Sequence, residues 1–411
     1  MEIRPILSTL RRHKTAAALI VVEIALACAI ICNALFIVSQ RWENLQETSG
    51  VAEHELVTVS LSGVGKQTNP DVITQEDLAA LRAVPGVTNV AMVNQLPFRR
   101  GSNNSSLTIM PDQKIPTLSA AMYTGDEGTV RTLGLNVIAG RDFQPDEYLN
   151  WSELITQLNG NSNVPLRTMA LIVSREAAQK LYPGQSAVGK PVYMANIPLT
   201  IVGVVQRLRR PNSFDGDTSY SMLMPLRQNY TNGGFYVLRV GDPAQRGRVL
   251  HDAVDALNRV DPNRLVMAQK TFDDWRSDYF SNDRDMMGLL ITLCLALLLV
   301  TALGIIGLAS FWVAQRTRQI GVRRALGATR GQILRYFQTE NFLLVSAGIV
   351  LGMGLAYAIN QLLMSRYELP RLPLVYLPVG AVLLWALGQI AVLWPARRAA
   401  NVPPAIATRS A

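Results

Sequence analysis

Apolar residues along this chain gather in four long blocks, and a polar stretch, 39–286, separates the first block from the other three. The first block, 16–38 (AAALIVVEIALACAIICNALFIV), carries a single charge, Glu23. It exceeds the apolar core of a secretory signal, about 7–15 residues, and reads as a spanning helix that is retained. The second block, 287–314, has no charge over 28 residues. At about 1.5 Å per residue it reaches ~42 Å against a hydrocarbon core of ~30 Å, so it is expected to tilt or to continue into an outer stalk. The third and fourth spans are expected at 336–360 and 372–394, with a short connector, 361–371, between them and Pro395 ending the last. Gly348 and Gly352 have the spacing that lets another helix approach closely, which is also ordinary glycine usage inside membranes. Spacing alone leaves both readings open.

Within the polar stretch the pattern switches between a period of two and one of 3.6. Residues 39–49 read as helix and 55–61 as strand. A helix then starts at Thr74 as its cap, with Asp77 near the positive end, and stops at Pro85 and Gly86 before a strand from Val87. That is a β–α–β unit. Further strands are expected at 107–110, 119–123, 170–173, 198–205, 220–224 and 234–240, with helices at 174–181 and 246–260. Gly203 marks a bulge or a close contact. Residues 142–168 read as loop with a short helix, and a polar helix at 273–286 leads into the second apolar block. The expected fold class is therefore a membrane α-helical protein of four transmembrane helices. A large extracytoplasmic α+β domain of two lobes lies between helices 1 and 2.

Charge fixes the expected orientation. The chain has 39 Lys and Arg against 30 Asp and Glu, with a pI near 9.6. The excess sits beside the apolar blocks, which points to membrane orientation and away from nucleic acid. Segments 1–15, 315–335 and 395–411 hold thirteen basic residues and one acid, whereas 361–371 holds Arg366 and Arg371 offset by Glu368. Both termini and the 315–335 loop are thus expected in the cytoplasm and the polar domain outside.

Candidate chemistry is sparse. Cys28, Cys32 and Cys294 all lie in apolar blocks, so no disulfide framework or thiolate metal site is expected. His13, His54 and His251 lack metal-type spacing. GQSAVGKP (184–191) begins like a phosphate-binding loop, but Pro191 stands where the magnesium-binding hydroxyl belongs, and the segment reads as a turn. No nucleophile elbow, zinc-protease helix or dinucleotide fingerprint occurs, so no catalytic, cofactor-binding or metal residues are expected. Intramembrane Glu23 is a functional candidate by default, or else pairs with Arg11 or Arg12. Glu340, at the start of the third span, can reach Arg335 or Arg330.

The loop 315–335 (QRTRQIGVRRALGATRGQILR) holds six arginines and no acid. It reads as a short amphipathic helix, a turn at Gly327, Ala328 and Thr329, and a second helix capped by Thr329 that runs into the third span. Such an element suits docking of a cytoplasmic protein, and equally an interfacial helix against lipid.

These residues resemble the hallmark cytoplasmic loop of MacB/FtsX/LolE-type ABC transporter permeases. LGLNVIAGRDF (133–143), LYPGQSAVGKPV from Leu181, TIVGVV from Thr200 and WPARRAA (394–400) extend the resemblance over most of the chain. It implies an inner-membrane permease of a bacterial cell, with a Porter-like lobe (39–95 and 208–272), a Sabre-like lobe (96–207) and a stalk helix (273–286). It also implies a dimer, with a second copy or a related permease, working with two ABC ATPase subunits by mechanotransmission. ATP would be bound by those subunits, expected on a separate chain because only 15 residues precede the first span; the permease itself would be no enzyme. The coupling surface carried over is Ile320, Gly321, Arg323, Arg324, Ala325, Leu326 and Gly327. Gln319 departs from the family's glutamate, which puts one charged contact to the ATPase in doubt. Export with a periplasmic adaptor and a TolC-like outer-membrane channel is the first expectation. Lipoprotein release and a non-transporting signal transmitter are the alternatives within the family, and a sensor without ATPase lies outside it.

Overall fold

The computed structural model describes residues 14–63, 69–158, 168–195, 197–212, 218–231, 233–367 and 371–401. It divides into a polar unit, 47–281, and a helical unit made of 1–46 with 282–411. Arg11, Arg12, Glu368 and Arg409 lie outside the described residues. Chain order begins with α1 (Lys14–Leu45), β1 (Leu56–Ser62), α2 (Pro70–Arg82) and β2 (Val87–Met92). An insertion follows: β3 (Asn104–Leu107), β4 (Leu118–Thr124), α3 (Thr129–Leu133), β5 (Val137–Gly140), β6 (Leu149–Asn150), α4 (Trp151–Leu158), β7 (Met169–Ser174), α5 (Arg175–Leu181), β8 (Pro191–Met194), β9 (Ile197–Val205), β10 (Ser221–Met224) and β11 (Leu226–Arg227). The polar unit closes with β12 (Gly234–Val240), α6 (Arg246–Val260), β13 (Leu265–Thr271) and α7 (Phe272–Tyr279). The helical unit resumes as α8 (Ser281–Gln315), α9 (Thr317–Ala325), α10 (Arg330–Tyr367) and α11 (Tyr376–Ala400).

The first lobe is a four-stranded sheet in the order β13-β1-β12-β2, with every neighbouring pair antiparallel. Since β1 and β2 both oppose β12, which lies between them, the expected β–α–β unit is a split one. The same holds for β12, α6 and β13 around β1. Two interlocked split units of this kind make a ferredoxin-like lobe, and the whole β3–β11 insertion enters between its second and third strands. Val57, Val59 and Leu61 of β1 meet Leu78 and Leu81 of α2 and Val249, Ala253 and Leu257 of α6 in one core. Both crossover helices therefore cover the same face.

Two expectations about α2 need correction. The helix starts at Pro70, where a residue lacking an N–H costs nothing, and Thr74 is buried inside it, donating to the Pro70 carbonyl at 2.8 Å. Asp77 therefore lies about two turns into the helix and not near its positive end. It is fully buried, accepts from the Tyr236 hydroxyl at 2.6 Å and pairs with the buried Arg264 guanidinium. Burial pushes the Asp77 carboxyl up, and the Tyr236 and Arg264 bonds oppose that shift. Strand β13, which follows Arg264, was not expected. It is an edge strand with a register shift against β1, and it leaves Leu265, Val266 and Met267 exposed, so no alternation marks it.

The second lobe is a seven-stranded sheet in the order β3-β4-β10-β7-β9-β5, with β8 hydrogen-bonded to β9. Its core gathers Leu171, Val173, Leu199, Ile201, Met222, Ala177 and Leu181. Strand β7 is buried throughout. Ser174 caps α5 by accepting from the Ala177 amide at 3.4 Å. Segment 184–191 is a turn with Gly184 and Gly189 at positive φ. A Cβ at Gly203 would lie 2.4 Å from the Arg141 carbonyl oxygen, so β9 requires glycine there. Because β10 pairs with β4 and β7, this lobe continues to Met224 and does not end at 207.

In the helical unit, α1 is the most enclosed helix and α8 the least. A Cβ at Gly348 of α10 would meet Ile24 of α1 at 2.7 Å, and one at Gly352 would meet Cys28 at 2.5 Å. Gly354 faces open space. Small residues four apart thus bring the two backbones together, since apolar burial gives no drive for helix association in lipid. Polar side chains add directional bonds. Asn33 donates to the Ala356 carbonyl at 3.1 Å, Asn341 to that of Gly388 at 2.8 Å, and Trp385 to the Ser346 hydroxyl at 3.0 Å.

Two predictions follow from this packing. Asp126 is buried and accepts from the Met92 and Gly128 amides at 3.1 and 3.0 Å, yet burial pushes its carboxyl up to about 6. The stability it contributes is therefore complete below the unfolded value near pH 4 and is lost as pH rises through about 6, an effect of ~3 kcal/mol. Thermal unfolding of the full chain should show a higher midpoint at pH 5 than at pH 8, and Asp126→Asn should abolish most of that difference. Gly352→Val should cost about 1–3 kcal/mol through overpacking against Cys28, read as a lower folded yield in detergent, whereas Gly354→Val should be tolerated.

Candidate functional site

The site of interest is the hairpin between α8 and α10. Helix α8 has 35 residues, ~52 Å at 1.5 Å each, and its buried positions are Met287 and a stripe of Thr301, Ile305, Ala309, Trp312 and Val313. It breaks at Arg316, the residue before α9. The Thr317 hydroxyl donates back to the Val313 and Ala314 carbonyls at 2.9 and 3.0 Å, a bond that bends helices.

Helix α9 ends in a Schellman turn. Gly327 stands at φ +97°, the Ala328 amide donates to the Arg323 carbonyl at 3.0 Å, and the Gly327 amide to that of Arg324 at 3.1 Å. Thr329 then caps α10 as expected: its hydroxyl accepts from the Gln332 amide at 3.3 Å, and the Gln332 side chain accepts from the Thr329 amide at 2.9 Å. The hairpin is short because each end is closed by its own backbone chemistry.

Ile320 and Gly321 are the buried residues of α9. Ile320 packs with Val313, with Ile333 and Phe337 of α10, and with Ala396, Ala399 and Ala400 of α11. Three alanines on α11 leave room for α9 to lie close. Of the remaining positions expected at the coupling surface, Arg323, Ala325, Leu326 and Gly327 are exposed and Arg324 is half-buried. Leu326 is 83% exposed and Val322 45%, both flanked by arginines. The Arg323 guanidinium stacks on Tyr336 with 5.2 Å to the ring centre. One face of α9 is fixed to the bundle, and the other presents cations around two apolar side chains.

Glu340 does not pair with Arg335 or Arg330. Its partner is Arg316, whose Nη1 donates to both carboxylate oxygens at 3.0 and 3.1 Å, deep in the bundle. Glu23 lies against α8, where a Cβ on Gly304 would stand 2.8 Å from its carboxylate, and its Oε1 has no hydrogen-bond partner among the described residues.

A second cluster marks where the chain enters and leaves the polar unit. Arg209 donates to Glu47 at 2.7 Å and Arg276 to Glu53 at 2.6 Å, and both guanidinium groups stack on Phe98, at 4.8 and 4.9 Å. Phe98 holds φ +61°, a conformation costing about 1–3 kcal/mol for a bulky residue, which the packed Phe272 and Phe280 rings enforce. No sequence signal marks this cluster, because its members come from four separate segments. No group of three metal-ligating side chains occurs among the described residues.

Four helices long and apolar enough to cross a membrane, with an α+β unit inserted after the first, define a polytopic membrane protein built around a single large polar insertion. Residues 17–256 match the MacB-like periplasmic core domain and 291–404 the FtsX-like permease C-terminal domain. The chain belongs to the MacB-like ABC transporter permease family. It is 26% identical over 280 residues to the macrolide export ATP-binding/permease protein MacB of Chromobacterium violaceum, covering 64% of this chain and 42% of that protein. It is 23% identical over 413 residues to the pyoverdine export ATP-binding/permease protein PvdT of Pseudomonas aeruginosa, covering 98% and 57%. The ABC transporter permease YknZ of Bacillus subtilis is 23% identical over 342 residues, covering 82% and 79%. The chain thus spans about half the length of the first two relatives.

Proposed function

We propose that this protein is the permease subunit of a mechanotransmission ABC exporter. In this reading α9 and the turn after it form the cytoplasmic docking element for an ABC ATPase, which binds and hydrolyses the ATP. Closure of the ATPase moves the hairpin, α8 carries that motion across the bilayer, and the periplasmic unit changes shape in response. The carrying observation is the two-faced character of α9, with Ile320 and Gly321 against the bundle and Val322, Arg323 and Leu326 outward. Val322 and Leu326 stand exposed among arginines, a pairing of apolar anchor and cation that suits a protein docking face. Gln319, also exposed, adds no charge to that surface.

The basic bias of 315–335 and of Arg397 and Arg398 at the end of α11 supports a cytoplasmic position for the hairpin and both termini. In this reading a second permease pairs alongside α8, the least enclosed of the four spans. A periplasmic adaptor and a TolC-like channel complete the proposed export path, in keeping with relatives named for macrolide and pyoverdine export.

The double variant Arg323→Glu, Leu326→Asp tests this reading. Both side chains are exposed, so the protein should fold as before, while recovery of an ABC ATPase in pull-downs of the full chain should fall at least about tenfold. Undiminished recovery would remove α9 from the docking surface.

A further inference from the structure

We propose that the Arg316–Glu340 pair is the positioning latch of the coupling hairpin: it fixes the angle at which α9 leaves α8, and so where the outward face of α9 points. The inference rests on reading 315–335 as the coupling element, and it assigns the two residues a role distinct from contact with any partner.

The geometry singles out this pair. Arg316 occupies the one-residue break between two helices, where its backbone amide still reaches the Trp312 and Val313 carbonyls at 3.1 and 3.3 Å. Helix α9 is only nine residues long, and Ile320 and Gly321 are its only buried members. The packing of Ile320 and the stacking of Arg323 on Tyr336 hold its middle, and the Arg316 pair holds its start. The guanidinium of Arg316 turns inward and both carboxylate oxygens of Glu340 receive the same Nη1, which ties the elbow to α10, one full helix away along the chain.

The pair sits among apolar groups, beside a cavity lined by Ile20, Ile305, Trp312, Phe337, Glu340 and Asn341. Trp312 also lies under the Arg316 guanidinium, 5.5 Å from its ring centre. Arg316 Nη2 and the Trp312 indole N–H have no hydrogen-bond partner among the described residues. An ion pair left partly unsatisfied in a low-dielectric interior is a poor source of stability, because desolvation offsets most of the attraction. What such a pair supplies is register: a different elbow angle takes the buried Arg316 guanidinium away from the carboxylate that accepts from it. Neither charge faces the exposed side of α9, so the pair is not available to an incoming partner.

The test uses the full chain with its natural cysteines replaced by alanine and Ile320→Cys added as a reporter on the buried face of α9. A water-soluble maleimide should label this position slowly. Glu340→Arg alone and Arg316→Glu alone should each speed labelling about tenfold or more, and the exchanged pair, Arg316→Glu with Glu340→Arg, should return it to within about threefold of the starting rate. Should the single reversals fail to fold, Arg316→Met with Glu340→Gln replaces the pair without leaving a buried charge. That variant should keep its melting temperature and still label about tenfold faster. Slow labelling in the folded Met/Gln variant, or fast labelling in a folded exchanged pair, would overturn the latch. Labelling needs no ATPase, so these outcomes stand apart from the pull-down: loss of the docking reading leaves the labelling result intact, and the reverse holds as well.

Discussion

Inside an apolar bundle an unpaired charge costs far more than a paired one, and this asymmetry governs the helical unit at its critical bend. Arg316 and Glu340 are both buried, and the bonds between them are what makes the two charges tolerable there. Around that arrangement the other features fall into place. Thr317 bends the helix, Gly327 and Ala328 end α9, Thr329 and Gln332 start α10, and three alanines of α11 receive Ile320. Each is a local solution to an orphaned backbone group or a close approach. Together they deliver a short, two-faced helix at the base of a four-helix bundle.

The same logic recurs in the periplasmic unit on a different scale. Asp77 and Arg264, both buried, tie the start of an edge strand to the helix that covers the sheet. Arg209 and Arg276 hold Phe98 in a conformation it would not choose, at the place where four segments of chain converge. Both arrangements concentrate charge and strain at junctions and leave the two sheets themselves to ordinary apolar packing.

Features that depend on near neighbours were legible in the sequence. Thr329 as a cap, the turn that starts at Gly184 and the four apolar helices all follow from residues within a few positions of one another. Features set by distant partners were not. Asp77 finds Arg264 187 residues away, Asn33 finds Ala356 323 residues away, and Glu340 passes over the nearer Arg335 and Arg330 for Arg316. Strand β13 was missed for a related reason: at the edge of a sheet its burial is irregular, so the period of two never appears. Segment 315–335 was visible as a basic helical hairpin, but which of its residues face the bundle required the packing of α11 to be known.

The account as a whole turns on whether nucleotide state at the hairpin reaches the periplasmic unit. Hydrogen exchange on the full chain in nanodiscs, with the proposed ATPase carried as a variant that binds ATP without hydrolysing it, measures this directly. The account predicts that ATP alters protection at 315–335 and also at 96–99, 207–210 and 272–280, where Phe98, Arg209 and Arg276 meet. A change confined to 315–335, with the periplasmic segments unmoved, would contradict it.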